Sequence, residues 1–405
     1  MARSISCLVL FALVPLVACG TGDTSAPVAE VIDSAGVRLV LNHLPDGPVG
    51  TGGLSLDAEP MLEIGAFEGD PLYQLYRVAG ASRLADGRIV VANAGSFEVR
   101  VYGADGRHQR TWGREGGGPG EFLDMWLVRA TGSDTLVVLD NQNRRISFIH
   151  PDEGFLGSVP MGEEVVGFPQ AQGVFEDGAL VMGGGAPRII PGDLRNGIRR
   201  FPTYFRSYEP DGSLATDFGE YPGYEIFMWV GGGNIGATPL PFGRTTVAAV
   251  SADRLYLGTQ DSYEIRAYDP SGSLRSIIRL DQELRPLTSS DWAAYVEQQL
   301  ENIDDPGRQA ERRREIEDMR IHETMPAYFG LTVDALGYLW VHEYRGPRGD
   351  SPVYTVFDTE GKLVGRLPLP DRFRVIEIGS DYVLGRYMDE LDVDYLRLYR
   401  LSRGD

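Results

Sequence analysis

The chain has 405 residues, with 58 acidic against 38 basic side chains and a formal net charge of −20. That charge repels nucleic-acid phosphates and anionic headgroups, so it excludes a polyanion-binding protein and points to neutral, cationic or small partners. With 51 glycines and 25 prolines, a mainly helical fold is excluded, and many short strands joined by tight turns are expected.

In chain order, the first expected element is an export signal. Arg3 supplies a positive start, and Leu8 to Val17 is an apolar run too short to span a bilayer. It ends in Leu16-Val17-Ala18-Cys19, which resembles the bacterial lipobox and so implies removal of residues 1–19 up to an acylated Cys19. Gly20 follows instead of aspartate, so the expected location is the cell envelope, lipid-anchored at the outer membrane and facing the periplasm or the cell surface. The other cysteine, Cys7, lies inside the signal, so no disulfide is expected in the exported chain. Thr21 to Pro27 reads as a flexible tether. Residues 20–57 form an arm, and residues 58–405 the folded body.

Six aromatic residues then punctuate the body: Tyr102, Phe148, Tyr208, Tyr268, Phe357 and Tyr399. Each closes a pair of strand candidates, such as Arg88 to Ala92 with Val99 to Tyr102. Five are followed by a turn, as in Ala104-Asp105-Gly106 and Pro210-Asp211-Gly212. A further strand follows each of these five turns, whereas the sixth unit has none, because the chain stops there. Met61-Leu62-Glu63-Ile64-Gly65 has the form of that missing strand. The expected fold is therefore all-β, a six-bladed β-propeller in which an N-terminal strand completes the last blade and leaves no sheet edge unpaired.

Gly113-Arg114-Glu115-Gly116-Gly117-Gly118-Pro119-Gly120-Glu121-Phe122 resembles the inter-blade connector of NHL-repeat proteins. The resemblance implies a link that recrosses a blade, its glycines making sharp turns and Phe122 wedging between blades. Six-bladed proteins of this kind include metal-dependent lactonases and amidating lyases. No Gly-Lys-Ser/Thr follows this run, or the run Gly231 to Gly236, so neither is read as a phosphate cradle.

The aromatic marks are spaced by 46, 60, 60, 89 and 42 residues, so additions crowd the middle of the chain. They are Gly183 to Thr203, Tyr221 to Leu240, Asp281 to Met325 and His342 to Pro352, and all should emerge at one mouth of the ring. Within residues 281–325, between blades four and five, helical spacing predicts a helix over Asp291 to Asn302, an interruption at Pro306 and a charged helix over Arg308 to Arg320.

Two groups of side chains invite chemistry. Asp140, Asn141 and Arg144, with Arg114 and Glu121, can line the channel mouth as a polar ligand site, although Asp and Asn at such places also make turns. His342 and Glu343 stand at the same mouth, and with His322 they could hold a divalent metal. No Gly-x-Ser-x-Gly elbow is present. The expected function is a ligand- or protein-binding scaffold for a small molecule, glycan, peptide or envelope protein. The alternative is a metal-dependent hydrolase or lyase, with Asp140 beside the His322, His342 and Glu343 set.

Overall fold

The computed structural model describes residues 29–129, 134–162, 165, 167, 169–185, 196–231, 234–319, 322–346 and 351–404. The export signal and Cys19 lie outside these residues.

Among the described residues the chain forms six sheets in which consecutive strands pair antiparallel. The first is Val78–Arg83, Ile89–Asn93, Glu98–Tyr102 and His108–Trp112, and the second is Met125–Arg129, Leu136–Asp140, Arg145–His150 and Gly154–Pro160. The third holds Gln170–Val174, Leu180–Gly184, Gly197–Tyr208, Leu214–Gly231 and Asn234–Pro239. The fourth is built on Val247–Val250, Leu255–Gly258, Glu264–Tyr268 and Leu274–Asp281. Gly330–Val333, Leu339–His342, Val353–Phe357 and Leu363–Pro368 make the fifth, and Phe373–Ile378, Tyr382–Met388 and Asp394–Ser402 the core of the sixth.

The second strand of each sheet explains the packing. Successive side chains of a strand point to opposite faces, so Val90 enters a core shared with the second sheet while Ile89 and Val91 enter one shared with the sixth. Leu136 and Val138 likewise face the first sheet, and Val137 and Leu139 face the third. Both faces are buried, so these strands are continuous apolar runs. The remaining cores lie between sheets three and four, four and five, and five and six. All six punctuating aromatics sit in or against these cores, and Tyr102 and Phe357 are fully buried.

Behind the aromatic, the recurring turn has a common geometry. The amides of Gly106, Gly212, Gly272 and Gly361 each donate to the carbonyl three residues earlier, at 2.8–2.9 Å. Gly361 shows why glycine is needed: its φ is +81°, and a Cβ there would come within 2.8 Å of Ile278 on the neighbouring sheet.

At the N-terminal side, Leu62–Ile64 pairs with Asp394–Ser402, with Leu62 opposite Leu398 and Ile64 opposite Leu396. Ser55–Leu56 adds to the same strand. The arm expected over residues 20–57 contains more structure than a tether: Ala29–Ser34 and Val37–His43 form a hairpin on the outer edge of the fourth sheet, with Val37–His43 parallel to Leu274–Asp281. Its buried Asn42 bonds the Arg279 and Gly361 carbonyls and the Leu363 amide, tying sheet four to sheet five.

The additions differ from simple links. Gly197–Tyr208 and Leu214–Gly231 continue beyond their sheet as a ribbon, onto which Asn234–Pro239 folds back. Helix α1 (Ser289–Leu300) starts at a capping box formed by Thr288 and Asp291. Helix α2 (Pro306–Asp318) is opened by Pro306 at its first position after an Asp305 cap, where a missing N–H costs nothing.

Candidate functional site

Most of the residues singled out around the connector are used by the fold itself. Arg114 pairs with Glu121 at 2.7 Å, and Glu121 also accepts from the Gly118 amide at 2.7 Å. These bonds, the Gly118 amide first and then Arg114, hold the Glu121 carboxyl below the usual glutamate range. Asp140 is fully buried and accepts from the amides of Leu123, Asp124 and Asn143 and from Asn143 Nδ2. It fastens the incoming connector and makes the turn, as Asn93 does one sheet earlier by accepting from the Tyr76 amide at 2.7 Å. Asn141 is buried with its Oδ1 unpartnered among the described residues. Arg144 donates to the carbonyls of Val165 and Gly167.

The structure does not gather His322, His342 and Glu343 into one ligand set. His342 ends a strand of the fifth sheet, stacks on Tyr354 with ring centres 4.8 Å apart, and meets Phe329 edge-on at 5.0 Å. Tyr354 and Trp340, on the same face, belong to the core shared with the sixth sheet. Glu343, one residue on, bonds Thr355 Oγ1 and pairs with Arg366, each at 2.7 Å. Alternation along the strand thus separates the two. His322 is elsewhere, with Nε2 2.8 Å from Glu225 and Nδ1 3.3 Å from Arg244. Among the described residues no group of three or more His, Cys, Asp or Glu side chains is placed to hold a metal ion.

Electrostatics distinguish the two histidines. Burial, reinforced by the positive charge of Arg374, pulls the His342 pKa down to about 4, so its imidazole is neutral at physiological pH. At His322 the bonding fixes the tautomer: Arg244 can only donate, so Nδ1 accepts and Nε2–H donates to Glu225. Burial raises the Glu225 pKa, but the His322 bond and the Arg244 amide outweigh it and leave a lowered value.

The additions build what the individual motifs did not reveal. Trp292, Val296 and Leu300 of α1 and Ile316 of α2 share one apolar core with Leu240 and Phe242, against which Phe227 of the ribbon and Tyr344 of the fifth-sheet link also pack. Arg200 reaches from the ribbon to Asp261 at 2.9 Å and to the Thr259 carbonyl. Glu225 joins the ribbon to Arg244 and His322. The long additions therefore fasten to one another on the side where the sheets are linked.

Next to this assembly lies a cavity of about 600 Å³. Gln170, Gln172, Thr246, Val247 and Leu331 contribute from or beside the first strands of sheets three, four and five, and Phe201, Thr203 and Tyr224 from the ribbon. Among the described residues its polar side chains are amides and hydroxyls, with no Asp, Glu, Lys, Arg or His in the lining. Gly183, Gly184 and Gly185 leave backbone exposed in the wall. Such a surface offers neutral hydrogen bonds and aromatic faces to a ligand, and no acid–base or nucleophilic pair. Sequence patterns missed it because its residues come from three sheets and have no common spacing.

No family model matches the sequence, and no curated protein matches it. Among solved structures, the chain is similar to a presumed exported protein of Bacteroides fragilis, with 12% identity, a TM-score of 0.51 and coverage of 91% of this chain and 100% of that one. It is also similar to a DUF4221-family member from Bacteroides vulgatus, at 11% identity and TM-score 0.50, covering 87% and 100% of the respective chains. These likenesses concern the fold alone. A looser one, with TM-score 0.40 and 11% identity over 86% of this chain and 99% of the other, is to virginiamycin B lyase from Staphylococcus aureus, and it carries no information about the site. The mostly β, multi-sheet architecture is consistent with a β-propeller.

Proposed function

We propose that the chain is a six-bladed, NHL-like β-propeller lipoprotein of the bacterial envelope, exported and held by acylated Cys19. At its elaborated mouth it binds a small neutral polar molecule, such as a glycan or a peptide, without transforming it. The six consecutive inter-sheet cores and the pairing of Leu62 with Leu398 support ring closure. The signal-like start supports export, in keeping with the description of one structural neighbour.

One observation carries the binding reading: the cavity formed where the additions meet is lined by Gln170, Gln172, Thr203, Thr246, Phe201 and Tyr224 and, among the described residues, by no charged side chain. Amides and hydroxyls matched to a polar ligand discriminate strongly, because a ligand lacking the partner leaves them unpaired. A panel of neutral oligosaccharides and short capped peptides, titrated against the exported chain, tests this. Gln172→Ala and Tyr224→Ala should each weaken a bound member at least about fivefold, consistent with the loss of roughly 1 kcal/mol from a hydrogen bond or a stacking contact. Binding that ignores both substitutions would place the ligand elsewhere.

A further inference from the structure

Across the mouth from the ribbon, the sixth sheet carries an arrangement that stability alone does not favour. Arg374 on its first strand lies directly opposite Arg386 on its second. Like charges paired across strands are destabilising. Arg386 has a distant carboxylate, Asp394, at 3.7 Å. Arg374 is exposed, and its guanidinium has no hydrogen bond or ion pair among the described residues.

The surrounding acids do not resolve the pair. Asp394 is buried and also accepts from the Val78 amide at 3.3 Å. Asp389 spends one oxygen on the amides of Leu391 and Val393. Glu390 and Asp392, in the same loop, make no bond to either arginine. Two guanidinium side chains thus sit opposite one another on neighbouring strands, with a single carboxylate at 3.7 Å from one of them.

We propose that Arg374 and Arg386 form a binding site for one oxyanion, a carboxylate or phosphate group, independent of the cavity and its neutral ligand. Guanidinium forks suit planar or tetrahedral oxyanions, and bound anion would relieve the cross-strand repulsion. The overall negative charge still disfavours polyanions.

Inorganic phosphate and acetate are the probes, each compared with chloride at equal ionic strength, with thermal unfolding as the readout. The full exported chain should show a Tm that rises and saturates with phosphate or acetate but not with chloride. Preference between the two probes then separates a phosphate from a carboxylate ligand. Arg374→Gln should abolish that response while leaving the anion-free Tm unchanged or raised, because it removes a repulsion. Arg107→Gln, at an exposed turn, should keep the response. An anion effect no greater than that of chloride, or one that survives Arg374→Gln with Arg386→Gln, overturns the site. So does a marked fall in anion-free Tm for Arg374→Gln, which would make the arginine structural. Cavity variants read with neutral ligands test the other proposal separately.

Discussion

Consecutive side chains on a strand face opposite ways, and this decides the fate of His342 and Glu343. Read along the chain they form a pair, but in the fold one stacks on Tyr354 and the other pairs with Arg366. His342 is nonetheless informative, because its pKa lies near 4 against an ordinary value near 6.5. Between those values the unfolded chain takes up a proton that the folded chain refuses. Stability is therefore complete above about pH 6.5 and falls toward pH 4, by up to about 1.4 kcal/mol per pH unit from this group. Denaturant midpoints measured across that range should fall less steeply in His342→Gln than in the parent, and parallel curves would refute the assignment. Asp140 gives a second prediction at this scale. Asp140→Ala orphans the donors of Leu123, Asp124 and Asn143, so it should cost about 3 kcal/mol in equilibrium unfolding. If Asp140 served a ligand and not the connector, stability would hardly change.

Elements differ in how far sequence can announce them. The two helices were legible because local signals specify them: Thr288 and Asp291 cap one, Asp305 and Pro306 the other, and Trp292, Val296 and Leu300 recur at helical spacing. The strand pairs were legible because a turn containing Gly, usually with Asp, follows five of the six aromatics. The hairpin Ala29–His43 was not, since its parallel partner Leu274–Asp281 lies more than two hundred residues away and parallel pairing leaves no local mark. The ribbon was taken for linkage because Pro222, Gly223 and a glycine run interrupt its strand pattern. The cavity was invisible for the same reason as the ribbon that walls it. Trp292 then supports a prediction about the insertion. It is buried against Phe242, with ring centres 5.1 Å apart, and Trp292→Ala should cost about 3–5 kcal/mol locally. Amide exchange should quicken across α1 and α2 while Leu136–Asp140 keeps its protection, because the core around Trp292 is separate from those between the sheets. Uniform loss of protection would show instead that helices and sheets unfold together.

For the whole molecule the decisive question is how the last sheet meets the first. Asp394–Ser402 is the last of the described strands, and Leu62–Ile64 and Ser55–Leu56 supply its outer partners. Ile64 and Leu75 join Leu396 and Leu398 in the core shared with the first sheet, so early and late segments are buried together. The Gly404 amide donates to the Gly53 carbonyl at 2.8 Å, and Arg397 pairs with Glu63 at 2.6 Å. If this seam fastens the molecule, deleting the chain through residue 66 removes the outer partner and strips one side of a core, leaving a long edge strand bare. Such an edge is a template for another chain. The truncated protein should therefore self-associate in light scattering and melt well below the parent. Ile64→Ala, which keeps the strand but opens a cavity, should lose about 2–4 kcal/mol and remain monodisperse if the parent is. A truncated chain with the parent's mass and melting temperature would mean that the sheets hold together without their seam, and that the pairing of Leu62 with Leu398 is incidental to the stability of the arrangement.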